Sequence, residues 1–155
     1  MLWLKLLIAA LVIAFCILIG YLAANKYRQR KKFFAQFQLF NERYLNELDY
    51  ARKPLSVFLK EYTYSGEFSK ALEAFAAQKP MPKLSFLTKE EASETADYFS
   101  MLGKGDAQSQ SGFFGARKGI LERKKTESEG EAKKRGELYL KLGLLAGLAI
   151  VILIV

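Results

Sequence analysis

The feature that most constrains the fold is an apolar segment at each end of a charged chain of 155 residues. The first segment, residues 2–24, carries one charge, Lys5, and is long enough as a helix to cross a hydrocarbon core of about 30 Å. The second, residues 142–155, approaches that length if residues 138–140 are added and Lys141 snorkels to the interface. We therefore predict membrane helices in residues 1–24 and 138–155, with a helical domain and charged stalk in residues 25–137.

Basic residues next to each apolar segment predict the topology. A cluster follows the first segment and another precedes the second: Lys26, Arg28, Arg30, Lys31 and Lys32, then Lys133, Lys134 and Arg135. By the positive-inside rule, both clusters lie in the cytoplasm at the membrane interface, so both termini lie outside it. A cleaved signal peptide is the alternative for the first segment. It is disfavoured because the apolar run is long and the basic residues lie on the wrong side of it.

The second apolar segment contains the pair Gly143 and Gly147, which form a GxxxG motif. Small residues at this spacing can let two membrane helices approach closely and pack together. The alternative is that two glycines in a Leu/Ala/Gly-rich segment have no pairing role. The sequence leaves both interpretations open.

The middle of the chain is predicted to be all-α. Phe33, Phe37, Phe40, Tyr44 and Leu48 recur at helical spacing and predict the core face of a helix that runs to about residue 50. Stacking on nucleic-acid bases would need exposed aromatic residues on strands, so no nucleic-acid partner is expected. Further helices are predicted at about 54–62, 67–78, 88–102 and from 107 into the membrane.

Local signals define several helix ends. Thr88 and Glu91 form a capping box, in which each side chain bonds the other residue's backbone amide. Asp106 is predicted to cap the last helix. The stretch 122–137 is polar on all sides, and we expect it to act as a solvated stalk between the domain and the membrane.

The residue inventory argues against catalysis and against a cofactor. The chain has no histidine and one cysteine, Cys16, which excludes common zinc sites and nucleophile–histidine pairs. The turn at residues 103–105 lacks the spacing and the Ser/Thr of a phosphate-binding loop. Paired acids such as Glu90 and Glu91 are predicted to be solvated. We expect no enzymatic activity, no metal and no cofactor.

Three motifs give the chain a family resemblance. They are Gly20 followed by basic residues, the pattern Leu102-Gly103-x-x-Asp106-x-x-x-Gln110, and the Leu-Gly-rich tail from residue 142. In their order and spacing they resemble the stage III sporulation protein AB family. Lys53 stands where that family tends to have threonine, and residues 78–88 differ from its usual pattern.

The resemblance implies a role in sporulation, in the mother-cell membrane around the forespore, as part of a secretion-like channel with other components. The family's soluble domain is similar to the cytoplasmic domain of F-type platform proteins of type II secretion. The resemblance therefore implies that the protein docks or regulates a cytoplasmic ATPase resembling stage III sporulation protein AA. This is a fold-level analogy.

The turn after residue 101 is the predicted partner surface, with the candidate residues Leu102, Gly103, Asp106, Gln108 and Gln110. The alternative is an internal role, in which Asp106 caps a helix and Gln110 packs inside the domain. The alternative function is a structural scaffold on the membrane surface, where the basic clusters bind anionic lipid.

Overall fold

The computed structural model describes residues 2–154, and the regular elements within that range are all helices. The elements are α1 (Leu2–Asn46), a π-helical turn (Glu47–Ala51), α2 (Leu55–Glu61), α3 (Gly66–Ala76), α4 (Lys89–Met101) and α5 (Ala107–Ile154). The all-α prediction is confirmed. Both α1 and α5 contain a segment long and apolar enough to cross a membrane.

The predicted helix ends are largely confirmed. The Thr88 hydroxyl accepts from the Glu91 amide at 3.1 Å, and the Glu91 carboxylate accepts from the Thr88 amide at 3.2 Å. Asp106 caps α5 by accepting from the Ser109 amide at 2.7 Å. Pro54 precedes α2 instead of lying in its first turn. The predicted end of the third helix was two residues too late, because Gln78 adopts a left-handed conformation (φ 55°).

The chain divides into two compact units. The first comprises the described residues of Met1–Arg28 and Glu129–Val155, and the second comprises Gln29–Ser128. The second unit has an aromatic core built on the predicted stripe of α1. Phe33, Phe37, Phe40 and Tyr44 are all buried there. Burial of each such ring contributes about 1.5–3 kcal/mol.

Rings from the other helices pack against this stripe at edge-to-face angles. The centroid distances are 4.6 Å for Phe37–Tyr98 and 4.9 Å for Tyr44–Phe114. The irregular segment between α3 and α4 also enters the core, since Phe86 lies 5.5 Å from the Phe33 ring. The core of this unit is therefore closed by a loop as well as by helices.

A buried asparagine connects three helices of this unit. The Asn41 side chain of α1 donates to the Phe114 carbonyl of α5 at 3.2 Å and accepts from the Tyr98 hydroxyl of α4 at 2.8 Å. The nitrogen and the oxygen of the Asn41 side-chain amide are thus both hydrogen-bonded in the interior, which avoids the cost of an unsatisfied buried polar group.

The other unit pairs the first part of α1 with the last part of α5. A Cβ atom placed on Gly20 would lie 2.6 Å from the Tyr139 carbonyl oxygen, and one on Gly143 would lie 2.7 Å from the Cys16 carbonyl oxygen. The two helix backbones therefore touch where glycine removes the side chain, as in small-residue packing of membrane helices.

Candidate functional site

The turn between α4 and α5 contains the five predicted partner residues. Leu102 is buried in the aromatic core, whereas the Gln108 side chain is exposed. Gly103 and Gly105 have φ angles of 72° and 85°, a region that favours glycine. Asp106 is exposed, and its bonds to Ser109 hold the pKa of its carboxyl below the usual value.

Gln110 closes this turn from the inside. Its side-chain oxygen accepts a hydrogen bond from the Tyr44 hydroxyl and one from the Gly103 amide at 3.3 Å. Its amide group donates to the Gly105 carbonyl at 3.2 Å. The geometry gives Gln110 an internal role, since it joins the turn to α1.

Gly103 also lies against α2. A Cβ atom on Gly103 would lie 2.8 Å from Leu55 Cδ2, so the turn and the start of α2 are in direct contact. Of the five candidates, Leu102, Gly103 and Gln110 are thus occupied with packing or hydrogen bonds inside the unit. Gln108 and Asp106 are the two with exposed side chains.

A groove of about 260 Å³ lies beside this turn. Its walls come from the π-helical turn, the start of α2, and the α4–α5 turn: Tyr44, Glu47, Leu48, Arg52, Lys53, Leu55, Gly103, Ala107 and Gln110. The π-helical turn was not predicted, because its residues fit an ordinary helix equally well. It ends at Arg52, whose φ of 51° is unusual for a residue other than glycine.

The prediction that Glu91 is solvated was wrong. Glu91 is buried, and its carboxylate receives Arg30 Nη2 at 2.6 Å and Lys124 Nζ at 3.4 Å. Lys124 also lies 3.4 Å from Glu94. Glu90, its neighbour, is exposed as predicted.

Opposing effects set the protonation of Glu91. Burial raises the pKa of its carboxyl, but the hydrogen bonds from Arg30 and the Thr88 amide lower it, together with the positive charges of Arg30 and Lys124. The net result is a pKa below the usual value, so this carboxylate is ionised at neutral pH. A cavity of about 20 Å³ next to it has room for about one water molecule.

The basic residues predicted at the membrane interface fall into two groups. Six of the eight have exposed side chains: Lys26, Lys31, Lys32, Lys133, Lys134 and Arg135. Arg28 is half-buried, with its guanidinium 4.8 Å from the centre of the Tyr21 ring. Arg30 differs from the prediction, because its guanidinium binds Glu91 and lies 5.2 Å from the Phe34 ring centre.

The prediction of a fully solvated stalk was also wrong at its start. Ser128 has no exposed surface, and its hydroxyl donates to the Lys125 carbonyl at 2.8 Å. Lys124 is mostly buried beside Glu91. Although this stretch of α5 is polar on all sides of the helix, one of its faces therefore packs inside the unit.

The GxxxG glycines lie at the contact between α1 and α5. Gly143 lies against the backbone of Cys16, and a Cβ atom on Gly147 would lie 3.1 Å from Ile13 Cα and 3.4 Å from Cys16 Cβ. Of the two interpretations left open, the geometry favours a packing role, and the partner helix belongs to the same chain. Gly20 has the same role, which periodicity alone did not reveal.

Comparison with known proteins gives one family. The family model for stage III sporulation protein AB matches residues 5–85 and 76–155, nearly the whole chain. Searches of curated proteins and of solved structures found no match.

Proposed function

The chain belongs to the stage III sporulation protein AB family and has a role in sporulation, and from this premise we propose that it is a non-catalytic membrane adaptor. It docks or regulates a cytoplasmic ATPase resembling stage III sporulation protein AA. The adaptor belongs to a channel between mother cell and forespore. The domain between its two membrane segments is cytoplasmic.

The observation that carries this proposal is the state of the buried polar groups in Gln29–Ser128. Six buried polar or charged side chains in that range have a hydrogen-bond partner within the chain, and the Tyr64 hydroxyl is buried without one: the six are Asn41, Glu47, Glu91, Thr95, Gln110 and Ser128. Catalytic groups usually face an open cleft with a perturbed pKa. Glu91 has a perturbed pKa but faces two cations, an arrangement that stabilises the fold.

The two apolar segments support the membrane part of the proposal. Each is long enough to span, and basic residues lie beside both, on the side of the central domain, which by the positive-inside rule favours a cytoplasmic location for that domain. A helical domain held in this way is suited to bind a soluble partner at the membrane.

Photo-cross-linking of the full-length chain in the source cell tests the docking role. Cross-linkable residues replace three side chains on exposed parts of the domain, Gln78, Gln108 and Glu127. We expect one or more of them to capture the cytoplasmic ATPase. The purified chain should hydrolyse no ATP by itself, which serves as the control for a non-catalytic role. Capture of membrane neighbours alone would refute ATPase docking.

A second candidate function is binding of anionic lipid at the membrane surface. The exposed lysines at 26, 31, 32, 133 and 134 favour it, since each basic residue near an anionic surface contributes about 1 kcal/mol. Flotation of residues 25–137 with acidic and neutral liposomes tests this role. Binding to acidic vesicles that is lost in high salt supports it, whereas equal flotation with both vesicle types contradicts it.

A further inference from the structure

A groove of about 490 Å³ lies between α4 and the irregular segment that precedes it, and we call it the α4 groove. Binding sites typically have volumes of about 300–1,000 Å³ and mostly apolar walls. More than half of the residues that line this groove are apolar: Met81, Pro82, Leu84, Leu87, Ala92 and Ala96. The groove therefore has both the size and the lining of a place where an apolar group can bind.

The floor of the α4 groove is continuous with the hydrophobic core. Leu84 is buried in the core cluster, and Met81 and Leu87 are half-buried and pack against that cluster. Ala92 and Ala96 are exposed on α4, so the groove is open to solvent on that side. An apolar side chain that enters the groove would leave water and extend the packed core, which is favourable.

The wall opposite α4 is held in shape by its own sequence. Pro82 has a fixed φ angle, and a proline keeps the residue before it out of the helical region, so the backbone here is extended. The Lys79 amide donates to the Ala74 carbonyl at 2.8 Å, and the Leu87 amide donates to the Leu84 carbonyl at 3.2 Å. Because the wall is already ordered, a bound segment would have less conformational entropy to overcome.

The charge at the α4 groove is positive. Lys83 and Lys89 line it, and no Asp or Glu is present among the described lining residues. Both lysines are exposed and have no hydrogen bond or ion pair with a described residue. The sequence from residue 74 to residue 89 contains three lysines and no acidic residue. The positive charge is therefore not neutralised by the chain itself.

The carboxylates of α4 lie on other faces of that helix. The face that lines the groove is centred on Ala92. At about 100° per residue, Glu90, Glu94 and Asp97 lie roughly 140–160° around the helix from this centre. Glu91 lies about 100° away, and its charge is met by the two buried cations described above. None of these acids therefore cancels the charge of the groove lysines from the face of α4 that lines the groove.

The fold does not explain the charge of Lys89. Lys89 is the first residue of α4, where the positive end of the helix dipole favours an acid and disfavours a cation. Its ammonium group therefore does not stabilise the helix that it begins. The charge remains available for a negatively charged partner.

We propose that the α4 groove docks an acidic segment of the ATPase that carries an apolar anchor. The inference rests on the proposed function and specifies the docking surface and the chemistry of the segment. The anchor packs against Leu84 and Ala92, and carboxylates beside it pair with Lys83 and Lys89. Residues 78–88 differ from the usual pattern of the family, so we expect the complementary segment to be particular to the ATPase of this chain.

Other occupants fit the α4 groove less well. A small molecule needs free polar groups to orient it, but the Thr88 and Thr95 hydroxyls are already bonded to the backbone of Glu91. An anionic membrane is usually bound by four to eight clustered basic residues, and residues 74–89 offer three. A second copy of this chain carries a net charge of +8, which opposes its approach to a positive groove.

Photo-cross-linking of the full-length chain in the source cell tests the location of the docking surface. The cross-linkable residue replaces Ala96, which lines the groove. The matched control carries it at Ser93, which is also exposed on α4 but does not line the groove. We expect Ala96 to capture the ATPase severalfold more than Ser93 does. The cross-linked peptide, identified by mass spectrometry, should contain carboxylates beside an apolar residue.

A pair of neighbouring substitutions tests the apolar and electrostatic parts of the groove. Ala92→Glu places a negative charge where the acidic segment binds and should reduce co-purification of the ATPase at least about tenfold, because like charges in contact cost several kcal/mol. Ser93→Glu adds the same charge one residue away, outside the lining, and should leave co-purification unchanged. Glutamate is a good helix former at both exposed positions, so both chains should fold. Equal effects of the two substitutions would contradict the proposal.

Charge reversal tests the pairing with the lysines. Lys89→Glu should reduce co-purification severalfold without lowering the thermal midpoint, because an acid is favoured at the start of a helix. Loss of binding by this variant therefore cannot be attributed to unfolding. Lys60→Glu, which reverses an exposed lysine on α2 outside the lining, is the control and should have no effect. Replacing the mapped carboxylates of the ATPase by lysine should restore binding to the Lys89→Glu chain, and failure to restore it would contradict the pairing.

The outcomes separate this inference from the proposed function. If the ATPase co-purifies with the wild-type chain but Ala96 captures it no more than Ser93 does, the docking surface is wrong and the adaptor role stands. If the ATPase neither co-purifies nor is captured at any position, the adaptor role fails and this inference fails with it. Capture of lipid, of a second copy or of another protein in place of the ATPase at Ala96 overturns this inference alone.

Discussion

Glu91→Gln is the substitution that most directly tests the buried ion cluster. The carboxylate lies 2.6 Å from Arg30 and 3.4 Å from Lys124, and its side chain is 7% exposed. Glutamine preserves the shape and can still bond the Thr88 amide, because capping boxes accept Glu or Gln. The substitution therefore removes the charge and leaves the helix cap and the packing in place.

Glu91→Gln should lower the free energy of unfolding by about 2 kcal/mol. Removing one partner of a fully buried ion pair costs about 3–5 kcal/mol. This cluster should cost less, because Arg30 and Lys124 remain 13% and 17% exposed and Lys124 keeps Glu94 as a partner. At a urea m-value of about 1–1.5 kcal/mol per molar for a domain of this size, the unfolding midpoint falls by about 1.5 M.

Urea unfolding of residues 25–137, followed by circular dichroism at the helix band, measures this change. Tryptophan fluorescence is unsuitable because Trp3 lies outside this fragment. Glu90→Gln is the matched control: it removes the same charge from an exposed neighbour, and its effect should stay within about 0.5 kcal/mol. Equal effects of the two substitutions at neutral pH would refute the cluster's contribution to stability.

The pH dependence supplies a second check on the same variant. Because the folded-state pKa of Glu91 is below its ordinary value of 4.5, its stabilisation is fully present above that pH. It is lost as the pH falls from 4.5 through the folded-state pKa. The difference between wild type and Glu91→Gln should therefore shrink in acid, and a difference that persists unchanged at pH 3 would contradict this assignment.

Two further substitutions test the two units separately. Gly147→Cys should form a disulfide with Cys16 in the oxidised full-length chain, because the new Cβ would lie 3.4 Å from Cys16 Cβ, close to disulfide geometry. Gel mobility without reductant measures it; Gly136→Cys, with nothing within 4 Å, should not cross-link, and equal cross-linking would refute the helix pairing. Asn41→Ala should lower the free energy of unfolding by about 2–4 kcal/mol, because a buried hydroxyl and a carbonyl lose their partner. Urea unfolding measures the loss, and an equal effect of Asn46→Ala at an exposed position of α1 would contradict the reasoning.

Features with a local cause were predictable from the sequence. The aromatic stripe of α1 follows from helical periodicity, and Phe33, Phe37, Phe40 and Tyr44 are buried as expected. The capping box depends on residues three apart, so it could be identified within one helical turn. The continuous helix from residue 107 follows from the absence of proline.

Features that depend on distant residues could not be predicted. The partners of Glu91 lie 61 and 33 residues away, so its own helix gives no indication that it is buried. The composition of a polar stretch predicts that it is solvated. Ser128 is nevertheless buried, because its burial depends on the residues that pack beside it and not on its own segment. In the candidate partner turn the residues could be identified, but whether they face solvent or the core depends on Tyr44 and Leu55, which are remote in sequence.

The polar contacts have a consequence that the aromatic core alone would not provide. Apolar burial has little directional preference, whereas hydrogen bonds require particular donors and acceptors in a defined geometry. Arg30 and Lys124 meet at Glu91, and Tyr44 meets Gln110, so an interval of 14 residues on α1 matches the same interval on α5 in the opposite direction. We infer that these contacts fix the register between the two helices. That register also determines where the α4–α5 turn meets α2, and thus the shape of the groove beside that turn.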